Sequence, residues 1–171
     1  MSTRNPFFDI SLLPYQAPRF DEINDSHYRP AFDEAIRQKR ADIDAIVAQT
    51  AAPDFDNTVL ALEKSGAMLA RVSSIFFAMT SAHTNASLQE LEEQLSTELA
   101  ALANDIWLND TLFSRVESVW QDREALDAES RRLVEVTHQR FVLAGARLND
   151  AEKAELKDLN TQVASLISQF N

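Results

Sequence analysis

The sequence predicts an all-α protein: an elongated antiparallel bundle of about six helices preceded by an irregular N-terminal arm. Three observations carry this. Only two glycines and five prolines punctuate 171 residues, and four of the prolines fall within the first thirty. Apolar residues recur at steps of three and four, the spacing that lines one helix face. Polar side chains of cap-forming type stand where those apolar runs begin.

Residues 1–25 form the arm. Asn5-Pro6, Leu13-Pro14 and Ala17-Pro18 each bias the preceding residue away from helix. Phe7, Phe8, Leu12, Leu13, Tyr15 and Phe20 are apolar enough to pack on the surface of the domain that follows, residues 26–171. The first helix starts near Ser26, with Pro30 in its first turn, where a missing N–H costs least. It carries Tyr28, Phe32, Ile36, Ile43, Ile46 and Val47, and breaks at "TAAPDFDN". The second runs from about Asn57 to Ala82 with a weak point at Ser65-Gly66. Its later half bears Leu69, Val72, Ile75, Phe76, Phe77 and Met79.

"Ser87-Leu-Gln-Glu90" is a capping-box pattern and opens the third helix, with Leu88, Leu91, Leu95, Leu99, Leu102 and Ile106 on one face. Asn109-Asp110 starts the fourth, with Leu112, Phe113, Val116, Val119 and Trp120. Asp127 or Ser130 opens the fifth, with Leu133, Val134, Phe141 and Leu148. "Asn149-Asp-Ala-Glu152" opens the sixth by the same capping logic. Leu156, Leu159, Val163, Leu166 and Phe170 continue its apolar face through the closing residues "LNTQVASLISQFN". No Gly, Pro or charged last turn closes this helix, which still presents an apolar face in the last residues.

The net charge of −11 opposes the clustered cations that nucleic acids and anionic membranes require. No cysteine is present, which excludes a disulfide framework and thiolate metal sites and fits a cytoplasmic location. The first residues, "MSTRNPFFDISLLPYQAP", lack the apolar core and small-residue cleavage site of a signal peptide. No apolar stretch approaches the ~20 residues that span a bilayer.

The candidates for chemistry are few. The three histidines are His27, His83 and His138, and none belongs to a His-Glu-x-x-His pattern. "Glu135-Val-Thr-His138" is one half of the di-iron bundle motif, which needs a second copy and two further glutamates. His138 shares a face with Val134, Phe141 and Gly145 and reads as a hydrogen-bonded core or interface histidine. "His83-Thr84-Asn85" reads as a helix cap, with a loop facing a cleft as the alternative. Glu90, Glu92, Glu93 and Glu98 read as a solvated face. Phe76-Phe77-Ala-Met79 reads as helical core, and Gly145 as a point of close helix approach. No catalytic, cofactor-binding or metal residue is assigned in this chain.

Several stretches occur in an order that resembles a known family: "NPFFDISLLPYQAPRFDEI", "HYRPAFDEAIRQKRADIDAI", "DFDNTVLALEKSG", "RVSSIFFAMTSAHTN", "ELAALANDIWLND", "LVEVTHQRFVLAGARL" and "LNTQVASLISQFN". They resemble the N-terminal region of the peptidyl-dipeptidase branch of the thimet oligopeptidase and neurolysin family of zinc metallopeptidases, and the resemblance runs the whole chain. It implies a longer, almost wholly helical parent enzyme shaped as two halves around a deep channel. Zinc held by His-Glu-x-x-His and a further Glu would hydrolyse short peptides there, releasing C-terminal dipeptides. None of those ligands has a counterpart here, so the resemblance implies a channel-wall domain that is inert alone. Its expected partners are the rest of its own polypeptide and, in the intact enzyme, short peptides. Uncovered surface would also allow a non-native dimer. The alternative is a complete helical protein-interaction module without enzymatic activity.

Overall fold

The computed structural model describes residues 5–170, with side chains through 167. It is 77% helical, and no strand occurs among the described residues. The helices are α1 (Tyr28–Val47), α2 (Ala61–Lys64), α3 (Ala67–Ala82), α4 (Ala86–Trp107), α5 (Asp110–Gln121), α6 (Ala128–Leu143) and α7 (Asp150–Phe170). A π-helical turn, Phe55–Leu60, leads into α2, and short 3-10 turns lie at Pro6–Phe8, Pro14–Gln16, Asp25–His27 and Arg123–Ala125. No helix among the described residues is long and apolar enough to cross a membrane.

Three helix starts follow the cap residues legible in the sequence. Asn109 accepts from the Leu112 N–H, Asp127 from Glu129 and Ser130, and Asn149 from Glu152, whose carboxylate returns a bond to the Asn149 N–H. Two starts differ. α4 is capped by Asn85, which accepts from the Leu88 N–H at 3.0 Å, so Ser87 already lies inside the helix. An amide that one residue has satisfied leaves no cap role for the next. The turn before α1 is capped by Asn24, which accepts from Ser26, while His27 Nδ1 accepts from the Asn24 N–H.

Ser65-Gly66 is a full break rather than a weak point. Ser65 is extended (ψ 141°) and Gly66 is left-handed (φ 72°), so α2 and α3 are separate helices. A β-carbon at Gly66 would meet the Lys39 side chain at 2.5 Å.

The chain divides into two compact units. The first comprises Met1–Ala41 and Gly66–Gln94, the second Asp42–Ser65 and Leu95–Asn171. Phe76 centres the first. Its ring meets Tyr28, Phe32 and Phe77 edge-on at centroid distances of 5.1, 5.3 and 5.3 Å. Such edge-to-face pairs add to the stabilisation from apolar burial. Phe7 joins this cluster against Tyr28, and its carbonyl accepts from Arg71 at 2.8 Å. Asn5 donates to the His27 carbonyl at 2.7 Å. Beyond this anchor Leu12 and Tyr15 are fully exposed, and Tyr15 and Gln16 take left-handed φ values of 58° and 55°.

In the second unit, Val59 of the π-turn, Val119 of α5 and Val134 of α6 form a buried cluster, flanked by Phe55, Trp120, Leu126 and Leu133. Trp107 packs on Phe141 at 4.8 Å. Gly145 ends the α6 segment at φ 99°, where a β-carbon would stand 2.8 Å from Leu156 and 2.9 Å from Leu148. Lys153 of α7 is buried and bonds Asp110.

Phe76→Ala should destabilise the protein by about 3–5 kcal/mol, while Leu12→Ala should change stability by no more than ~0.5 kcal/mol. Urea unfolding of both variants checks the contrast. In the same assay Gly145→Ala should be destabilising, because it combines a left-handed backbone with two crowded leucine contacts.

Candidate functional site

The densest set of chemistry-bearing side chains lies on α5 and α6 in the second unit. His138 faces inward from α6 beside Val134 and Phe141, all three buried. Its Nε2 stands 2.8 Å from Glu117 Oε2 on α5. The Trp120 ring stacks on the imidazole at 4.5 Å and 18°, and Phe113 lies 5.8 Å away. Arg147 reaches both Glu117 oxygens at 3.4 and 3.5 Å.

Two opposing influences act on Glu117. Partial burial pushes its carboxyl up. The His138 hydrogen bond and the nearby His138 and Arg147 charges outweigh that and hold it below the ordinary glutamate value. Histidine and glutamate alone give an oriented imidazole, two members of a nucleophilic triad. No hydroxyl hydrogen-bonded to His138 completes it among the described residues.

Glu135 does not join this group. It pairs with Arg132 at 3.1 Å on its own helix, so the Glu135-x-x-His138 spacing does not become a ligand pair. His83 is exposed at the end of α3, where its N–H closes on the Met79 carbonyl. Asn85 caps α4 and donates to Asp25 at 2.9 Å. Phe76 is core, as its spacing indicated. No group of three His, Cys, Asp or Glu side chains placed to hold a metal ion occurs among the described residues. A single imidazole and one carboxylate already shared with a guanidinium do not fit a zinc centre, which takes three or four protein ligands.

Arg115 escaped the reading of the sequence. Its side chain is buried on α5 and aimed at the segment between α1 and the π-turn. Nη1 donates to the Gln49 and Ala51 carbonyls at 3.1 and 3.4 Å, and Nη2 to Asn57 Oδ1 at 2.8 Å. Asn57 in turn donates to the Ala52 carbonyl and exchanges bonds with Asp54. Arg115 Nε is buried without a partner. One arginine thus fixes an irregular segment that has no apolar period to announce it. Its only sequence signal is its place in the run Leu112, Val116, Val119, next to buried positions of α5.

Glu117→Gln should remove a pH-dependent contribution to stability. A carboxyl with a lowered folded pKa stabilises the fold fully above the ordinary glutamate value of 4.5, and the effect fades as pH falls through the folded value. The wild-type advantage over the variant should therefore be present at neutral pH and vanish in acid, as thermal unfolding across pH would read. Arg115→Ala removes three hydrogen bonds that tie the segment to α5, and should cost about 1–3 kcal/mol by urea unfolding.

No family model matches the chain. Over its entire length it is 66% identical to dipeptidyl carboxypeptidase of Salmonella typhimurium and 64% identical to dipeptidyl carboxypeptidase of Escherichia coli. Over 94% of its length it is 23% identical to oligopeptidase A of Escherichia coli. The similarity to the two carboxypeptidases lies in their N-terminal part. The chain spans 25% of the length of each of them and 24% of oligopeptidase A.

Proposed function

We propose that this chain is the N-terminal, channel-wall domain of a zinc-dependent peptidyl-dipeptidase, an enzyme releasing C-terminal dipeptides from short peptides in the cytoplasm. The supporting observation is identity of 64–66% along the whole chain to two dipeptidyl carboxypeptidases of which it spans one quarter. By itself the chain is inert. Peptide hydrolysis of this kind needs a metal to polarise the scissile carbonyl and activate water, with a carboxylate as base. Neither a ligand set nor a free base–nucleophile pair is available from His138 and Glu117, which are engaged with Trp120 and Arg147.

The domain's contribution is steric and architectural. Buried aromatic and aliphatic side chains pack the helices within each unit, and a helical wall admits an extended peptide while turning away a folded protein. Its partners are the remainder of the same polypeptide and, in the assembled enzyme, short peptide substrates.

A blocked tripeptide incubated with the 171-residue chain, with and without added zinc, should show no dipeptide release. The longer polypeptide should release the C-terminal dipeptide and lose that activity on metal removal. Metal-dependent turnover by the short chain alone would overturn the assignment of inertness.

A further inference from the structure

α7 leaves an apolar stripe uncovered beside the face that contacts its own unit. Its contacts with its own unit mix polar and apolar side chains: Lys153 bonds Asp110 and Asn160 donates to Asn104 at 2.7 Å, while half-buried Leu156 lies against Gly145. Four large apolar residues nonetheless stay outside, beside exposed acids. Leu159, Val163, Leu166 and Ile167 are 50, 52, 61 and 57% exposed. Positions 159, 163, 166 and 167 fall on one helical face, about a quarter turn from the contact face. Surface helices ordinarily bury their apolar stripe, and a contiguous exposed one marks an interface.

We infer that this stripe is the seat of an apolar helix, flanked by Lys or Arg, from the remainder of the same polypeptide. The inference rests on the reading of the chain as one domain of a longer peptidase. The helical spacing of the stripe suits a partner helix laid along it. Exposed Glu155 borders it and exposed Glu152 stands at its N-terminal end, so the complementary partner carries a basic flank. A second copy of this chain would bring the same acids against each other, and the net charge of −11 adds to that repulsion. The dipeptidyl carboxypeptidases it resembles extend over four times its length, which leaves ample chain to supply the partner.

Hydroxyl-radical footprinting of the 171-residue chain and of the longer polypeptide tests this at the stripe itself. Leu159, Val163, Leu166 and Ile167 should be labelled readily in the short chain and protected several-fold in the long one. Val163→Glu should lower the unfolding temperature of the long polypeptide and leave that of the short chain unchanged. Equal labelling in both overturns the interface even if the long polypeptide cleaves peptides. Protection in a long polypeptide that lacks peptidase activity supports the interface while the functional reading falls. Protection that develops in the short chain as its concentration rises identifies a second copy as the occupant and also overturns the inference.

Discussion

The second unit depends on the burial of one guanidinium. A charge removed from water must be met by fixed acceptors, and Arg115 finds them in two backbone carbonyls and the Asn57 side chain. Those acceptors lie on the segment that leaves α1 and enters the π-turn. Holding them places Val59 against Val119 and Val134, the contact around which α5 and α6 close. The irregular segment is thereby as determined as the helices it joins. It keeps its conformation through directed polar bonds, since most of residues 48–54 are exposed and bury little apolar surface.

The same pair of helices carries the paired histidine and glutamate, and that chemistry is turned to structure. His138 is enclosed by Trp120 and Phe113, and Glu117 is occupied from one side by imidazole and from the other by guanidinium. A catalytic base needs a reacting atom within reach, and this one faces an aromatic ring. Similarity to peptidases and the engagement of these groups are compatible under the proposal above, in which the domain serves as a wall and the metal chemistry belongs to the rest of a longer polypeptide.

Helices and their caps were readable because the physics is local. Asn109, Asp127 and Asn149 each bond amides no more than three residues ahead, and apolar steps of three and four report a buried face directly. Features set by distant residues were not readable. His138 could be placed among Val134 and Phe141, but Glu117, 21 residues away, could not be named as its partner. Arg115 looks in sequence like any surface charge, and its acceptors lie 58–66 residues earlier. The π-turn at Phe55–Leu60 adds a residue per turn and leaves no mark in a helical period. Leu12 and Tyr15 invited packing by their apolar character, yet the arm is anchored by Asn5 and Phe7 and leaves both side chains in solvent. The arrangement of α7 was half visible. The apolar stripe is plain in "LNTQVASLISQF", whereas the inward turn of Lys153 and Asn160 depends on Asp110 and Asn104 in other helices.

The most direct measurement is the length and sequence of the native gene product that contains these residues. The expected product is about four times as long as this chain, carries a His-Glu-x-x-His motif beyond Asn171, and releases C-terminal dipeptides only with its metal in place. A native product consisting of these 171 residues alone, or a longer one without that motif, would contradict the assignment of this chain as the wall of a zinc peptidyl-dipeptidase.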